Sequence, residues 1–408
     1  MKKILALFMF LVMSMCIWGC ASERKTGFIM DSKVDREAGC DVLMDGAIEA
    51  PMEMMPEGGV VDVGDGLNEN FQVAAGLLTA GEWKDLDNPE FWSNLLNRND
   101  WYQLMETRNL FPNKIVTVRV LDTDNNPCFN VKVELNDKDG NVIYTARTDV
   151  NGNAYLWYDL NKTGEEAYAV TINSKHILLE GEKKLELCIG IQEEITKLDL
   201  MFMIDTTGSM DDELRFLQKE VEDVIKRVAK ENEAVSIKVS VNFYRDESDE
   251  YVVLDNPFYS DIEKCKAILN EQIADGGGDY PEAVHTAINN AVNKHQWRKD
   301  SVKLCFMVMD APPHNEEDII GIDAMLKEYV MDAAEKGIRI IPVASSGVDT
   351  ETEFLMRSYA VMTGGTYIFL TNDSGIGNSH LEPTVGDYEV KALNDLMVEV
   401  ILSYCKIK

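Results

Sequence analysis

Positive charge is scarce in this sequence. Only 39 Lys and Arg stand against 71 Asp and Glu, a formal net charge of −32. Such a surface repels phosphate backbones and anionic headgroups, which argues against nucleic acid and favours divalent cations and basic surfaces. Histidine is scarcer still: His176, His285, His295, His314 and His380 are dispersed and make no HExxH or comparable zinc spacing. Eight cysteines are present, but none in the CxxC spacing of a metal site. Ser374 in "DSGIG" is not a GxSxG elbow, and "GIGNSH" leads into no phosphate-binding helix with a Lys. Beyond the first twenty residues no stretch is long and apolar enough to span a bilayer. What is present is a chain of 45% hydrophobic residues with room for two or three domains.

The one long apolar stretch lies at the start. Lys2 and Lys3 precede Ile4 to Trp18, and the pattern reads as a secretory signal over residues 1–19. "IWGC" resembles a bacterial lipobox, which implies lipidation at Cys20 and an extracytoplasmic, membrane-anchored protein; Trp18 is larger than the usual occupant of its position. A plain signal peptide or an uncleaved anchor helix is the alternative. Residues 20–70 show no regular period, and between Glu37 and Asn70 there are nine acids and no Lys or Arg. This composition reads as a solvated tether. In residues 71–112, Trp83, Trp92 and Trp101 recur every nine residues, and a helix begun by Pro89 runs to Leu96. The cluster suits packing that docks this segment on a neighbouring domain.

Residues 113–192 change character. Alternating runs at Ile115–Leu121 and Val131–Leu135, then "VIYTART" and "NAYLWYDL", are separated by Asp/Asn-Gly turns. That spacing indicates an antiparallel β-sandwich. The segment resembles the carboxypeptidase regulatory-like or Cna B-type domains of bacterial surface proteins, a likeness that implies a spacer or stalk. Cys265, Cys305 and Cys405 sit in apolar patterns that suit buried free thiols, while Cys40, Cys128 and Cys188 carry no pairing signal.

From residue 197 to 408, apolar strands at 198–204, 235–243, 303–309, 339–345 and 366–370 alternate with helical patterns. The reading is an α/β fold with a doubly wound, mostly parallel sheet, whose ligands gather at the carboxyl ends of the strands. The first of these strands ends in "DTTGS". Asp205, Thr207 and Ser209 offer one carboxylate and two hydroxyls, hard oxygen donors suited to Mg²⁺ or Ca²⁺, although an N-cap cluster would look the same. "ADGGGDYPEAV" places Asp279 in a Gly-rich loop before a helix begun by Pro281, and "LCFMVMDAPPH" ends another strand in Asp310.

With these three loops the chain resembles a von Willebrand factor type A domain, and "VNFYRDESDEYVV" is similar to the type A domains attached to some alpha-kinases. The resemblance implies a metal-ion-dependent adhesion site for Mg²⁺, Mn²⁺ or Ca²⁺. Thr207 and Ser209 would bind directly, Asp205 and Asp310 largely through water, and Asp279 would stand where the family commonly has Thr. Glu282 would orient Asp279 or cap its loop, and His314 would lie at the rim or serve as a turn residue. The expected function is protein–protein interaction or adhesion without catalysis, and the resemblance implies an unknown protein ligand engaged through an acidic residue. The alternatives are a structural or assembly scaffold with a stabilising ion, and a metal-assisted hydrolase.

Overall fold

The computed structural model describes residues 73–190, 195–231 and 235–405, and these fall in one compact unit. The signal, Cys20 and the whole acidic tether lie outside the described residues. In chain order the elements are β1 (Thr79–Trp83), α1 (Pro89–Leu96), α2 (Asn99–Thr107), β2 (Ile115–Leu121), β3 (Lys132–Asn136), β4 (Val142–Arg147), β5 (Asn153–Trp157), β6 (Ala169–Ile172), β7 (Lys175–Leu178) and β8 (Lys184–Cys188). They continue as β9 (Lys197–Asp205), α3 (Leu214–Glu231), β10 (Ser236–Tyr244), β11 (Val253–Leu254), α4 (Ile262–Asn270), α5 (Val284–Asn289) and β12 (Val302–Met309). Last come α6 (Ile322–Lys336), β13 (Ile338–Ala344), α7 (Thr350–Thr363), β14 (Tyr367–Leu370), β15 (Lys391–Ala392) and α8 (Leu393–Cys405). Among the described residues no helix is long and apolar enough to cross a membrane.

The large sheet has the order β11-β10-β9-β12-β13-β14-β1-β15. Its five inner strands, β10, β9, β12, β13 and β14, are parallel; β11 and β1 run antiparallel to them, and β15 runs antiparallel to β1. β9 shows why the sequence reads as an unbroken apolar run. Met201 and Met203 belong to the core on one face, and Leu200, Phe202 and Ile204 to the core on the other. A strand buried on both faces has no polar alternation to keep. α3 covers the second face with Leu214, Leu217, Val221, Ile225 and Val228, spaced three to four residues apart.

β1 was not legible as a strand. Its sequence, TAGEW, has no alternation, and its partners lie almost three hundred residues on: Ala80 pairs with Leu370, and Trp83 with Tyr367. Glu220 of α3 holds the approach to it. The fully buried carboxylate accepts the backbone amides of Gly76 (2.7 and 2.9 Å), Leu77 (2.9 Å) and Leu78 (3.1 Å). The Trp-rich segment therefore contributes a strand to the large sheet and also packs against its helices. Trp101 meets Phe354 of α7 edge-on at 5.8 Å and Trp92 at 6.1 Å.

β2 to β8 form two smaller sheets, β5-β2-β8 and β4-β3-β6-β7. They share a hydrophobic core with α6 and α7. The last carbonyls of a helix lack partners within it. Here the Tyr144 hydroxyl donates to Met362 O at 2.7 Å and the Trp157 indole to Val361 O at 3.0 Å, so these sheets cap α7. All described cysteines are free; Cys128, Cys265, Cys305 and Cys405 are buried and Cys188 is exposed.

Candidate metal centre

Three loops meet at the carboxyl edge of the large sheet. The first follows β9. Thr206 is fixed to the next strand, its amide and hydroxyl donating to Tyr244 O at 3.0 and 3.1 Å. That anchor leaves its neighbours to turn the other way. Asp205 Oδ1 accepts the Thr207 amide (2.9 Å) and hydroxyl (2.6 Å), and Thr207 Oγ1 lies 3.1 Å from Ser209 Oγ. This local turn absorbs one oxygen of Asp205. The other, Oδ2, is buried with no hydrogen-bond partner.

The second loop carries the glycines. Gly276 O accepts the Gly208 amide at 3.2 Å, joining the first two loops, and Asp249 Oδ2 accepts the Gly277 amide at 2.9 Å. Gly276 and Gly277 have φ of +81° and +74°, a region costly for other residues. A Cβ on Gly277 would also come within 3.3 Å of Glu282 Oε1 and 3.5 Å of Thr207 Cβ. Glycine thus lets Glu282 and Thr207 close over the loop. The third loop follows β12: Asp310 is buried, the Ser209 hydroxyl is near enough to favour its charged form, and its Oδ1 has no partner.

Crowding and burial disfavour the charged forms of these acids. Loss of water, then repulsion from Asp205, pushes Asp310 up to about 8. Burial raises Asp205 to about 6 against the hydrogen bonds from Thr207. Glu282 rises to about 9, by burial first and then through Asp205, Asp246, Asp310 and Asp249, all of them carboxylates. Among the described residues no three His, Cys, Asp or Glu side chains form a ready-made metal cage. The donors that do converge are carboxylate oxygens and hydroxyls, which with water fit a hard divalent ion.

Residues 199–372 match the family model of the von Willebrand factor A domain. This stretch, under half of the chain, is similar to a von Willebrand factor A domain. A putative ariadne-like RING finger protein of Acanthamoeba polyphaga mimivirus is 27% identical over 190 residues, 42% of this chain. The chain spans only 18% of that protein's length. Two solved structures align over half of the chain. The conserved hypothetical protein BatB from Bacteroides thetaiotaomicron is 15% identical, with a TM-score of 0.35, covering 51% of this chain and 99% of its own. An aerotolerance-related membrane protein from Bacteroides fragilis NCTC 9343 is 13% identical, with a TM-score of 0.32, covering 50% and 99%.

Within the A domain, Asp205, Thr207, Ser209 and Asp310 come together as their loops suggest. Asp279 does not join them. It is exposed in the glycine loop and is not among the charges acting most on Asp205, Glu282 or Asp310. The helix after it begins at Val284, not at Pro281. Glu282 is therefore extended, bridged in parallel to Pro313, with its amide donating to Pro312 O at 2.9 Å. That bridge turns its side chain into the buried cluster. His314 is likewise buried, and its Nε2 lies 2.6 Å from Asp246 Oδ1. Its loop is strapped from outside the A-domain match by Arg108, which donates to His314 O (2.8 Å) and Pro313 O (3.0 Å). Arg245, Asp246 and Asp249, in "YRDESD" after β10, escaped the sequence reading as site residues. The signal was available: Arg245 donates to Thr206 O at 3.1 Å, and a charge cluster directly after an apolar strand marks a loop of the same edge.

Proposed function

We propose that this chain is a lipid-anchored, extracytoplasmic protein of the bacterial surface, whose A domain holds a divalent ion and contacts another protein at that edge. The observation that carries the reading is the pair of buried, unpartnered carboxylate oxygens, Asp205 Oδ2 and Asp310 Oδ1, beside the Thr207 and Ser209 hydroxyls. Buried polar atoms are nearly always hydrogen-bonded, so oxygens left without partners point to a missing ligand. Thr207 and Ser209 would hold Mg²⁺, Mn²⁺ or Ca²⁺ through their hydroxyls, and Asp205 and Asp310 would hold it through water. Such an ion would offset the repulsion among the acids and place a positive point on a negative edge. A binding role without catalysis suits the site, since the one histidine of its loops, His314, is buried against Asp246.

Thermal unfolding of the purified protein in chelator and in Mg²⁺ tests the metal. Binding stabilises by mass action, about 2.7 kcal/mol at a hundredfold excess over Kd. Asp205→Ala should lose that gain and remain folded, because it removes one of several like charges. An equal Mg²⁺ shift in both proteins would remove the basis of the site. Lipidation at Cys20 is tested by fractionation: Cys20→Ala should leave the membrane fraction.

A further inference from the structure

We infer that Glu282, and not Asp279, is the carboxylate the glycine loop gives to the ion, so that the A domain encloses its metal with a residue of its own. The inference rests on the metal-binding reading above. Glu282 is 3% exposed and its Oε2 has no hydrogen-bond partner. Three orphan oxygens, Asp205 Oδ2, Glu282 Oε2 and Asp310 Oδ1, thus come from three different loops at one edge. No Lys or Arg is bonded to any of these carboxylates in the described residues; Asp205 Oδ1 holds the Thr207 amide and hydroxyl, and the buried Tyr244 hydroxyl is the one further group that favours its charged form. The backbone of Glu282 is not free to withdraw, since it is bridged to Pro313. Glu282 Oε1 and Thr207, the expected direct ligand, both flank Gly277, at 3.3 and 3.5 Å from where a Cβ would stand. Asp279, three residues earlier and exposed, has none of these constraints.

The consequence concerns the partner. Three carboxylates around a doubly charged ion leave the site with net negative charge. A partner's acidic side chain would then have to displace Glu282 and meet repulsion, so the edge suits a partner that presents basic or neutral groups.

Mn²⁺ is the probe, used on the purified full-length chain. Its affinity is read by electron paramagnetic resonance and the number of bound waters by water-proton relaxation. Glu282→Gln should weaken Mn²⁺ binding by about tenfold or more and leave about one more water on the bound ion. Asp279→Asn should leave both within about twofold of wild type. Glu282→Asp should recover part of the affinity, and far-UV circular dichroism should show all three variants folded. Unchanged affinity and hydration in Glu282→Gln would overturn the assignment, as would a loss confined to Asp279→Asn. Absence of Mn²⁺ binding by wild type would instead overturn the metal reading beneath it.

Discussion

Arg357 should be the most costly single side chain to remove. It is fully buried in α7, and its guanidinium forks onto Asp85 with bonds of 2.8 and 2.6 Å. The same group donates to Glu353 at 2.9 Å and to Thr384 O at 2.6 Å, and lies 5.4 and 5.1 Å from the rings of Trp92 and Trp101. In Arg357→Met, Asp85 keeps the Trp83 indole and Glu353 keeps the Thr384 amide, but both buried carboxylates lose their counter-charge. Breaking such a pair by removing one side costs about 3–5 kcal/mol. Two lost cation–π contacts add about 1–2 kcal/mol, so roughly 5 kcal/mol in all is a large share of the usual 5–15 kcal/mol of stability. The assay is urea unfolding followed by tryptophan fluorescence, which also reports on Trp92 and Trp101. Adding Asp85→Asn and Glu353→Gln should recover most of the loss, since the penalty comes from the unpaired charges. A cost below about 1 kcal/mol for Arg357→Met would refute the reasoning.

Burial, and then repulsion from Arg147, lowers Lys303 to about 8 from its usual 10.5. Between these values the unfolded chain binds the proton that the folded chain has released, so wild-type stability rises with pH there. Lys303→Met should accordingly be more stable at pH 7 and lose that advantage above pH 10 in denaturant titrations; a constant difference would contradict this. In Gly365→Ala the new Cβ would meet Ile340 O at 1.9 Å, a backbone atom that cannot turn aside. It should cost about 1–3 kcal/mol or more by thermal unfolding, and a neutral result would mean that β13 yields easily. Tyr144→Phe leaves Met362 O without its 2.7 Å donor. It should cost about 1–2 kcal/mol by urea unfolding, and no loss would show that water replaces the cap.

The parallel strands were legible because burial on both faces writes itself as an apolar run, and β9, β10, β12, β13 and β14 fall within one or two residues of their expected positions. The carboxylates at their ends were legible for the same reason: a strand such as LCFMVM that stops at Asp310 marks its own loop. β1 was hidden because its evidence is non-local, residing in Leu370 and Tyr367 rather than in TAGEW. Glu282 was misplaced because Pro281 looks like a helix start, whereas the bridge to Pro313 keeps the chain extended for two more residues. That bridge depends on where two distant loops meet. No local pattern records it.

The position of β1 decides how tension would travel. Chain order places the seven small-sheet strands between the N-terminus and the A domain, like a link in series. The folded chain wires them in parallel. A pull on residues before Val73 first meets the grip of Glu220 on three successive amides, and then a strand hydrogen-bonded to β14 on one side and β15 on the other. The force thus enters the sheet that bears the three site loops before it reaches β2. While those bonds hold, the two small sheets carry no strain, and a taut chain does not lengthen by unravelling them.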